Sequence, residues 1–249
     1  MSIGNINNIK IEKKDMKKAF YINKVIWKKK NLGPGTTKLV GGNLQAGFYG
    51  EVPASEFITG AELAKIIGLT AGISQYSNAN WLKFSYLGKV EFISKKPLRY
   101  AVSWDNINSV NAVFGDRIIE IGDNKYKIRL LKGKTEGQQG DHSKDSGVIN
   151  HNSEWNRLML PIHSGAPSNW SYGGNVESPT ENWGMGYTNA DLITGAGTGN
   201  GSYSWCQEYG SSNGGRLYRG RYDVSYSGFY TTSARQAYFG WRPVLELVD

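Results

Sequence analysis

Residues 216–248 read RLYRGRYDVSYSGFYTTSARQAYFGWRPVLELV and carry the strongest information about the fold. The segment ends in an apolar run that is typical of a buried strand, so a terminal core strand is predicted at Phe239–Val248. Before this run, tyrosine, serine and glycine dominate and arginines recur at intervals. One guanidinium has five donors and can satisfy several loop carbonyls at once. This supporting role is predicted for Arg216, Arg219, Arg235 and Arg242.

The net charge of +8 is confined to the start of the chain. Residues 1–40 hold ten lysines against Glu12 and Asp15, which leaves the rest of the chain neutral. A nucleic-acid-binding body needs clustered basic side chains, so no nucleic-acid partner is predicted. No apolar run approaches the roughly 20 residues that cross a bilayer, so no membrane contact is expected. The single cysteine, Cys206, excludes a disulfide within the chain.

Residues 1–36 are predicted to form a basic attachment arm. Apolar side chains alternate with polar ones around Ile9–Ile11 and Tyr21–Trp27, which indicates a short β-hairpin. A lone hairpin is marginally stable, so its apolar stripe is expected to pack against the body or another chain. The turn Gly33-Pro34-Gly35 then separates the arm from a larger domain, residues 37–249.

Three helices and several short strands are predicted in this domain. Capping signals place the helix starts at Thr59, at Ser103 and at Asn152 or Ser153. The second helix is expected to end at Gly115. Further strands are predicted at Trp81–Leu87, Lys89–Ile93, Arg117–Ile121 and Tyr126–Leu131. Few helices, short strands and long irregular stretches predict an α+β fold.

The segment from Ser164 to Ala237 lacks regular periodicity but is rich in aromatic residues, which favours ordered loops over disorder. Tyrosine and tryptophan offer large contact area at low entropic cost, while serine, glycine and asparagine adapt their hydrogen bonds to a partner. The predicted ligand-binding residues are Tyr172, Trp183, Tyr187, Tyr203, Tyr222, Tyr226 and Tyr230. The alternative for each of them is inward packing beneath the loops.

Four motifs occur in the order found in one known family. They are VSWDNINSVNAVFG (102–115), SEWNRL (153–158), GNGSYSWCQEY (199–209) and the segment 216–244. In these motifs the chain resembles the formylglycine-generating-enzyme-like branch of the C-type lectin fold. The resemblance implies a C-type-lectin-like domain with long irregular loops. The catalytic cysteine pair of those enzymes has no counterpart here, so neither an enzymatic activity nor a cofactor or metal ion is predicted.

A second resemblance covers the whole chain. LVGGNLQAGFYGEV (39–52), ANWLKFSYLGKVEFISKKPLRYAVSWDNIN (79–108) and FGWRPVLELV (239–248) are similar to virion proteins of tailed bacteriophages that infect Gram-positive bacteria. The first 30 residues resemble hairpin modules at the ends of phage tail and baseplate proteins. The resemblance implies a multimeric virion protein, assembled in the host cytoplasm and released by lysis, that contacts other virion proteins through residues 1–36.

Both resemblances and the aromatic loops predict a non-enzymatic tail-fibre, baseplate or other exposed virion protein that binds host-surface polysaccharide. The alternative is a purely structural virion protein, such as a capsid decoration or an assembly joint. A third possibility is a metal-dependent enzyme acting on the cell wall. Against it, His142, His151 and His163 lack the spacing of metal ligands.

Overall fold

The computed structural model describes residues 31–133, 153–165, 181–194, 199–209 and 214–248. The chain divides after Leu32, and every element described below belongs to the second unit, Gly33–Asp249. Residues 1–30 of the predicted arm lie outside the described residues. Within the described residues, no helix has the length and apolar character needed to cross a membrane.

Thirteen strands and four short α-helices make up the regular structure of the described residues, together with a 3₁₀ turn at Ala54–Glu56. The strands are β1 (Gly41–Gly42), β2 (Ala46–Val52), β3 (Ile73–Ser74), β4 (Trp81–Tyr86), β5 (Lys89–Ser94), β6 (Arg99–Tyr100), β7 (Phe114–Ile121), β8 (Asn124–Leu130), β9 (Tyr203–Tyr209), β10 (Arg216–Arg219), β11 (Ser227–Tyr230), β12 (Phe239–Trp241) and β13 (Pro243–Val248). The helices are α1 (Gly60–Ile67), α2 (Trp104–Asn108), α3 (Glu154–Leu158) and α4 (Asn189–Leu192).

The body is mostly β-sheet, so the predicted α+β class is wrong, and a C-type lectin fold is not shown. One reason is the second predicted helix. It begins at the N-cap Ser103 as expected but ends at Asn108, because the chain turns at Asn111, where φ is 57°, and β7 begins at Phe114. The other reason is that β9, β10 and β11 lie where only irregular loops were predicted. Tyrosine and serine interrupt the apolar alternation that would indicate these strands. Pairing with strands distant in the sequence determines their structure.

The first sheet has the strand order β1-β2-β4-β5-β13-β8-β7, with all neighbours antiparallel. The predicted hairpin between β4 and β5 is present, since Leu87 and Gly88 have φ values of 49° and 78°. A two-residue hairpin turn of this kind needs positive φ at both positions. The predicted hairpin between β7 and β8 turns at Gly122, where φ is 57°.

The second sheet has the order β11-β10-β9-β12-β6-β3, in which only the β9–β12 pair is parallel. The predicted terminal strand is divided between the two sheets, since β12 belongs to the second and β13 to the first. Arg242, at the crossing, is fully buried and donates to the carbonyls of Ser94 and Lys95, where the chain leaves β5. Its guanidinium therefore joins the β12–β13 connection to the end of β5, two places where the chain passes from one sheet to the other.

Both faces of the first sheet are covered, which explains why β4 and β5 are buried along nearly their whole length. On one face Phe57 packs against Trp81, Phe92 and Tyr126. On the other face, apolar side chains of the sheet, α3 and the second sheet form the main hydrophobic core. Its members include Phe48, Phe84, Trp155, Leu158, Met159 and Leu217.

The starts of the other predicted helices match their capping signals. Thr59 accepts a hydrogen bond from the Glu62 amide, and the Glu62 carboxylate accepts one from the Thr59 amide, so α1 begins with a capping box. The helix ends at Gly68, where φ is 70°. Ser153 caps α3 by accepting from the Asn156 amide. Local side-chain chemistry thus determines where these short helices begin.

Candidate functional site

One face of the second sheet is aromatic. Tyr203 and Trp205 alternate along β9, and the register places Tyr218 beside Trp205 and Phe239 beside Tyr203. The Trp205 and Phe239 rings stack with centroids 4.3 Å apart, and those of Tyr203 and Tyr218 with centroids 4.5 Å apart. Offset aromatic stacks add to the free energy gained by burial. Paired strands therefore build a rigid aromatic floor.

A tight turn, residues 220–226, lies beside this floor and connects β10 to β11. The Gly220 amide donates to the Tyr226 carbonyl at 2.9 Å and closes the turn. Within it, Asp223 Oδ1 accepts hydrogen bonds from the Ser225 amide and hydroxyl and from the Tyr226 amide. One oxygen of the Asp223 carboxylate is therefore occupied by its own turn.

Interior side chains hold this turn from below. Arg219 donates to the Ser225 carbonyl at 3.1 Å, and the Trp155 indole donates to the Val224 carbonyl at 2.7 Å. The Val224 amide donates in turn to Asn189 Oδ1 at 3.0 Å. Arg219 and Trp155 are fully buried. Since buried hydrogen bonds of this kind are costly to break, the turn is held in one conformation.

Arg221 extends from the turn among three tyrosines. Its guanidinium carbon lies 4.4 Å from the ring centroid of Tyr222 and 5.4 Å from those of Tyr203 and Tyr226. Its Nη1 donates to the Tyr226 hydroxyl at 3.0 Å. Burial opposes the charge of Arg221, but this hydrogen bond and the surrounding phenols raise its pKa above the usual value. Arg221 is therefore always cationic and is fixed by cation–π contacts.

We call the resulting surface the tyrosine patch. It consists of Arg221 with Tyr203, Tyr218, Tyr222, Tyr226, Tyr230 and Tyr238. Tyr203 and Tyr218 form its floor and are 5% and 6% exposed, whereas Tyr222 and Tyr230 form its rim and are 39% and 38% exposed. The patch thus presents aromatic faces, phenol hydroxyls and one cation to a ligand.

The structure brings together four of the seven predicted binding residues, Tyr203, Tyr222, Tyr226 and Tyr230, and separates two others. Trp183 covers the β1 hairpin so closely that a Cβ on Gly41 would lie 2.6 Å from it. The Tyr187 hydroxyl donates to the Glu51 carboxylate at 2.7 Å. Inward packing, the alternative considered from the sequence, describes these two residues. Tyr172 lies outside the described residues.

The four predicted supporting arginines have different surroundings. Arg219 and Arg242 lie in the interior and donate to backbone carbonyls, as a supporting role requires. Arg216 lies with its guanidinium carbon 4.1 Å from the Trp104 ring centroid and 3.5 Å, through Nη1, from the Gln207 carbonyl. Arg235 is exposed and forms no hydrogen bond or ion pair with the described residues, so a supporting role does not fit its position.

Sequence reasoning missed Arg221, Tyr218 and Tyr238. The alternation Tyr203-Ser204-Trp205 was a usable signal for a strand with one aromatic face. No pattern in the sequence shows that β10 pairs beside β9 and brings Arg221 over Tyr203. Those contacts depend on the order of strands in the sheet.

A second polar site, which sequence reasoning also missed, lies at the first sheet. A cavity of about 610 Å³ has Arg129 and three glutamates in its wall. The Arg129 guanidinium lies 2.6 Å from Glu91, 2.6 Å from Glu154 and 3.2 Å from Glu246. Lys89 pairs with Glu246 at 2.6 Å. The cluster therefore has three carboxylates and two cations.

The pKa values of the two innermost carboxyl groups are shifted in opposite directions. Burial, together with the charges of Glu154 and Glu246, raises the pKa of Glu91 well above its usual range, although Arg129 opposes this. Burial also acts on Glu154, but Arg129 and the Lys132 amide outweigh it and lower the pKa of that carboxyl. Of the two, Glu91 is therefore the carboxyl that binds a proton more readily.

An acid beside a carboxylate could in principle transfer protons. Here the side chains of Glu91 and Glu154 are only 1% and 0% exposed, and both are bound to Arg129. The cluster therefore joins β8 to the start of α3 through Arg129 and Glu154. The described residues also contain no group of three or more His, Cys, Asp or Glu side chains that could hold a metal ion.

The chain matches no protein-family model, no curated protein and no solved structure. Its function must therefore be inferred from the chemistry of the tyrosine patch.

Proposed function

We propose that this chain is a non-enzymatic virion protein of a tailed bacteriophage that binds host-surface carbohydrate through the tyrosine patch. The observation that carries the proposal is an aromatic floor with two exposed tyrosine rings at its rim, Tyr222 against the fixed Arg221 cation and Tyr230 against Phe239. Surface aromatic groups of this kind mark binding sites more often than isolated exposed rings do.

The chemistry of the patch suits a sugar ring. The C–H faces of a pyranose are apolar and can pack on the exposed phenol rings, which supply contact area at low entropic cost. Phenol hydroxyls donate and accept hydrogen bonds, and a guanidinium donates them, so both can pair with ring hydroxyls. A ligand with only an apolar face would leave the hydroxyls and the guanidinium without a contact, and a ligand with only polar groups would leave the rings without one.

The patch is also preorganised. Arg219 and Trp155 fix the 220–226 turn from the interior, and the floor rings are already stacked. Binding would therefore order few additional groups, which reduces its entropic cost. Rigidity alone would also serve a structural joint, but such a joint has no need for a cation held among tyrosine rings beside the exposed Tyr222.

The virion location rests on the resemblance of residues 39–52, 79–108 and 239–248 to phage particle proteins. A single aromatic patch binds a sugar weakly, so several copies on one particle would be needed for adhesion. Attachment to the particle through residues 1–36 would supply those copies.

The test uses the full chain, fluorescently labelled and presented as a multimer, on intact Gram-positive cells before and after their wall polysaccharides are removed. Labelling is expected only on untreated cells. The double variant Tyr222→Ala/Tyr230→Ala is expected to lower labelling at least tenfold. Tyr76→Ala is the matched control, since Tyr76 is 48% exposed and lies beyond β3, at the opposite edge of the same sheet from β11.

Labelling that survives polysaccharide removal, or that the double variant leaves unchanged, would contradict the proposal. A panel of hosts with no labelled strain would favour the structural alternative, an assembly joint of the particle. Circular dichroism of each variant establishes that a loss of labelling does not come from unfolding.

A further inference from the structure

Arg221 differs from the interior arginines in the groups that its N–H donors reach. Arg129 is surrounded by carboxylates, while Arg219 donates to the carbonyls of Gly133 and Ser225. Arg221 donates to a single phenol, that of Tyr226, and its Nε has no acceptor in the part of the chain that the structure describes. Because Nε is buried, the donors that remain for a ligand are the N–H groups of the two terminal nitrogens that Tyr226 does not use.

No carboxylate among the described residues pairs with Arg221. Asp223, two positions along the chain, uses its Oδ1 for the Ser225 and Tyr226 amides of its own turn. Asp105, on α2, is hydrogen bonded to the Thr232 hydroxyl at 2.9 Å. Among the described residues, the Arg221 guanidinium therefore has no direct ion-pair partner. Arg235, exposed on the connection between β11 and β12, adds a second cation near Tyr230 and Tyr238 in the sequence.

The backbone at this position is unusual. Arg221 has φ of 153°, a region that side chains other than glycine seldom occupy. It follows Gly220, where φ is 77° and an added Cβ would lie 2.7 Å from the Ser202 carbonyl oxygen. The chain thus adopts a strained conformation that places the guanidinium between tyrosine rings. The fold gains no ion pair among the described residues in return.

We propose that the tyrosine patch selects glycans that carry an anionic substituent, a carboxylate or a phosphate, and that Arg221 binds this group. The inference rests on the proposed carbohydrate-binding function and specifies its ligand class. A guanidinium presents two parallel N–H groups that match both anions. The sugar ring would pack on Tyr222 or Tyr230 while its anionic substituent accepts hydrogen bonds from Arg221.

The experiment compares beads that display hexoses at equal density with beads that display the corresponding uronates or hexose 6-phosphates. Glucose, galactose and mannose serve as the parent sugars. The multimeric full chain is expected to bind at least one charged series at least tenfold more tightly than its neutral parents, since hydrogen bonds to charged groups are stronger than neutral ones. The uronate and phosphate series distinguish the two anions. Raising the salt concentration is expected to reduce the preference.

The variant Arg221→Gln is expected to reduce the charged-to-neutral ratio to about one, and Arg221→Lys to retain part of it. Lys125→Gln is the charge-matched control, since Lys125 lies on β8 in the other sheet. Equal binding to charged and neutral beads, or an unchanged ratio in Arg221→Gln, would overturn the inference while leaving carbohydrate binding intact. Retention on neither charged series would also overturn it, and the cell-labelling assay then decides whether the proposed function survives.

Discussion

The protonation of Glu91 makes a prediction about the buried charge cluster that can be tested by one substitution. Glu91→Gln replaces a neutral acid by a neutral amide of nearly the same shape. The amide oxygen can still accept from Arg129, 2.6 Å away, and its NH₂ group can donate to Glu154 as the acid does. We therefore expect the free energy of unfolding to change by less than about 1 kcal/mol below about pH 4, where the acid is neutral in both the folded and the unfolded state.

Removing the cation should have a much larger effect. Arg129→Met leaves Glu154 ionised at 0% exposure, without its two charged hydrogen bonds of 2.6 and 2.9 Å. Breaking a buried ion pair from one side typically costs about 3–5 kcal/mol. If Arg129→Met lowers the free energy of unfolding much more than Glu91→Gln does, the buried glutamates depend on the positive charge of Arg129, whereas Arg129 does not depend on a negative charge at Glu91.

The pH dependence supplies the sharper test. Because the folded pKa of Glu91 lies above its unfolded value, the folded state binds more protons between the two values. The stability from this group is fully present below the unfolded pKa and is lost, by up to about 1.4 kcal/mol per pH unit, as pH rises toward the folded pKa. Glu91→Gln lacks this loss, so its stability relative to wild type should increase from pH 5 to pH 8.

Urea unfolding at several pH values measures both effects. Glu246→Gln is the matched control with the opposite sign. Burial opposes the charge of Glu246, but Lys89 and Arg129 outweigh it and lower its pKa, so its contribution is present above the unfolded pKa and lost as pH falls. If Glu91→Gln cost several kcal/mol at pH 7, or its effect did not change with pH, Glu91 would be ionised and the reasoning refuted.

Three further predictions concern single residues. Burial lowers the pKa of Lys83 from 10.5 to about 8, so the unfolded state binds more protons than the folded state between these two values. The free energy of unfolding, measured by urea titration, should therefore rise from pH 8 to pH 10, and Lys83→Met should abolish this rise. Gly88 has φ of 78° and open space around it, so Gly88→Ala should lower the free energy of unfolding by about 1 kcal/mol. Gly220 has φ of 77° and a backbone oxygen 2.7 Å from the new Cβ, so Gly220→Ala should lower it by at least twice as much, and equal costs in thermal unfolding would contradict this. Arg219→Met should lower both stability and carbohydrate binding, whereas Arg221→Gln should leave the free energy of unfolding within about 0.5 kcal/mol of wild type. If both variants were equally destabilised, Arg219 could no longer be distinguished as a support of the turn from Arg221 as a ligand contact.

Local chemistry in the sequence was sufficient for features that depend on neighbours in the chain. Thr59, Ser103 and Ser153 cap helices because their hydroxyls reach amides three residues away. Gly88 turns the β4–β5 hairpin because it tolerates positive φ without strain. These interactions require no knowledge of the remaining chain, so their positions could be predicted.

The fold class could not be predicted in this way. The apolar run after Ser103 has helical spacing, but Val113 and Phe114 lie after the turn at Asn111 and lead into β7. Pairing of β7 with β8 outweighs the helical pattern of the segment. Resemblance in short motifs did not correct this error, because a motif such as Ser103-Trp104-Asp105 determines a helix start and not the order of strands.

The site was predicted in part for the same reason. Composition placed the candidate binding residues in the aromatic loops, and four of these candidates meet in the patch. Composition could not separate Tyr187, whose hydroxyl donates to Glu51, from Tyr222, whose ring lies 4.4 Å from the Arg221 guanidinium. That difference depends on which sheet each segment joins.

The arginines show how fold and function divide within one residue type. An arginine stabilises this fold when its donors end on protein oxygens, as those of Arg129, Arg219 and Arg242 do. Each of the three is at most 6% exposed, and each joins segments that are distant in the sequence. Arg221 has aromatic rings where the others have oxygens, so its charge is positioned but not neutralised. Since a positioned and uncompensated guanidinium contributes little to folding, its contribution is expected where an external anion completes its hydrogen bonds.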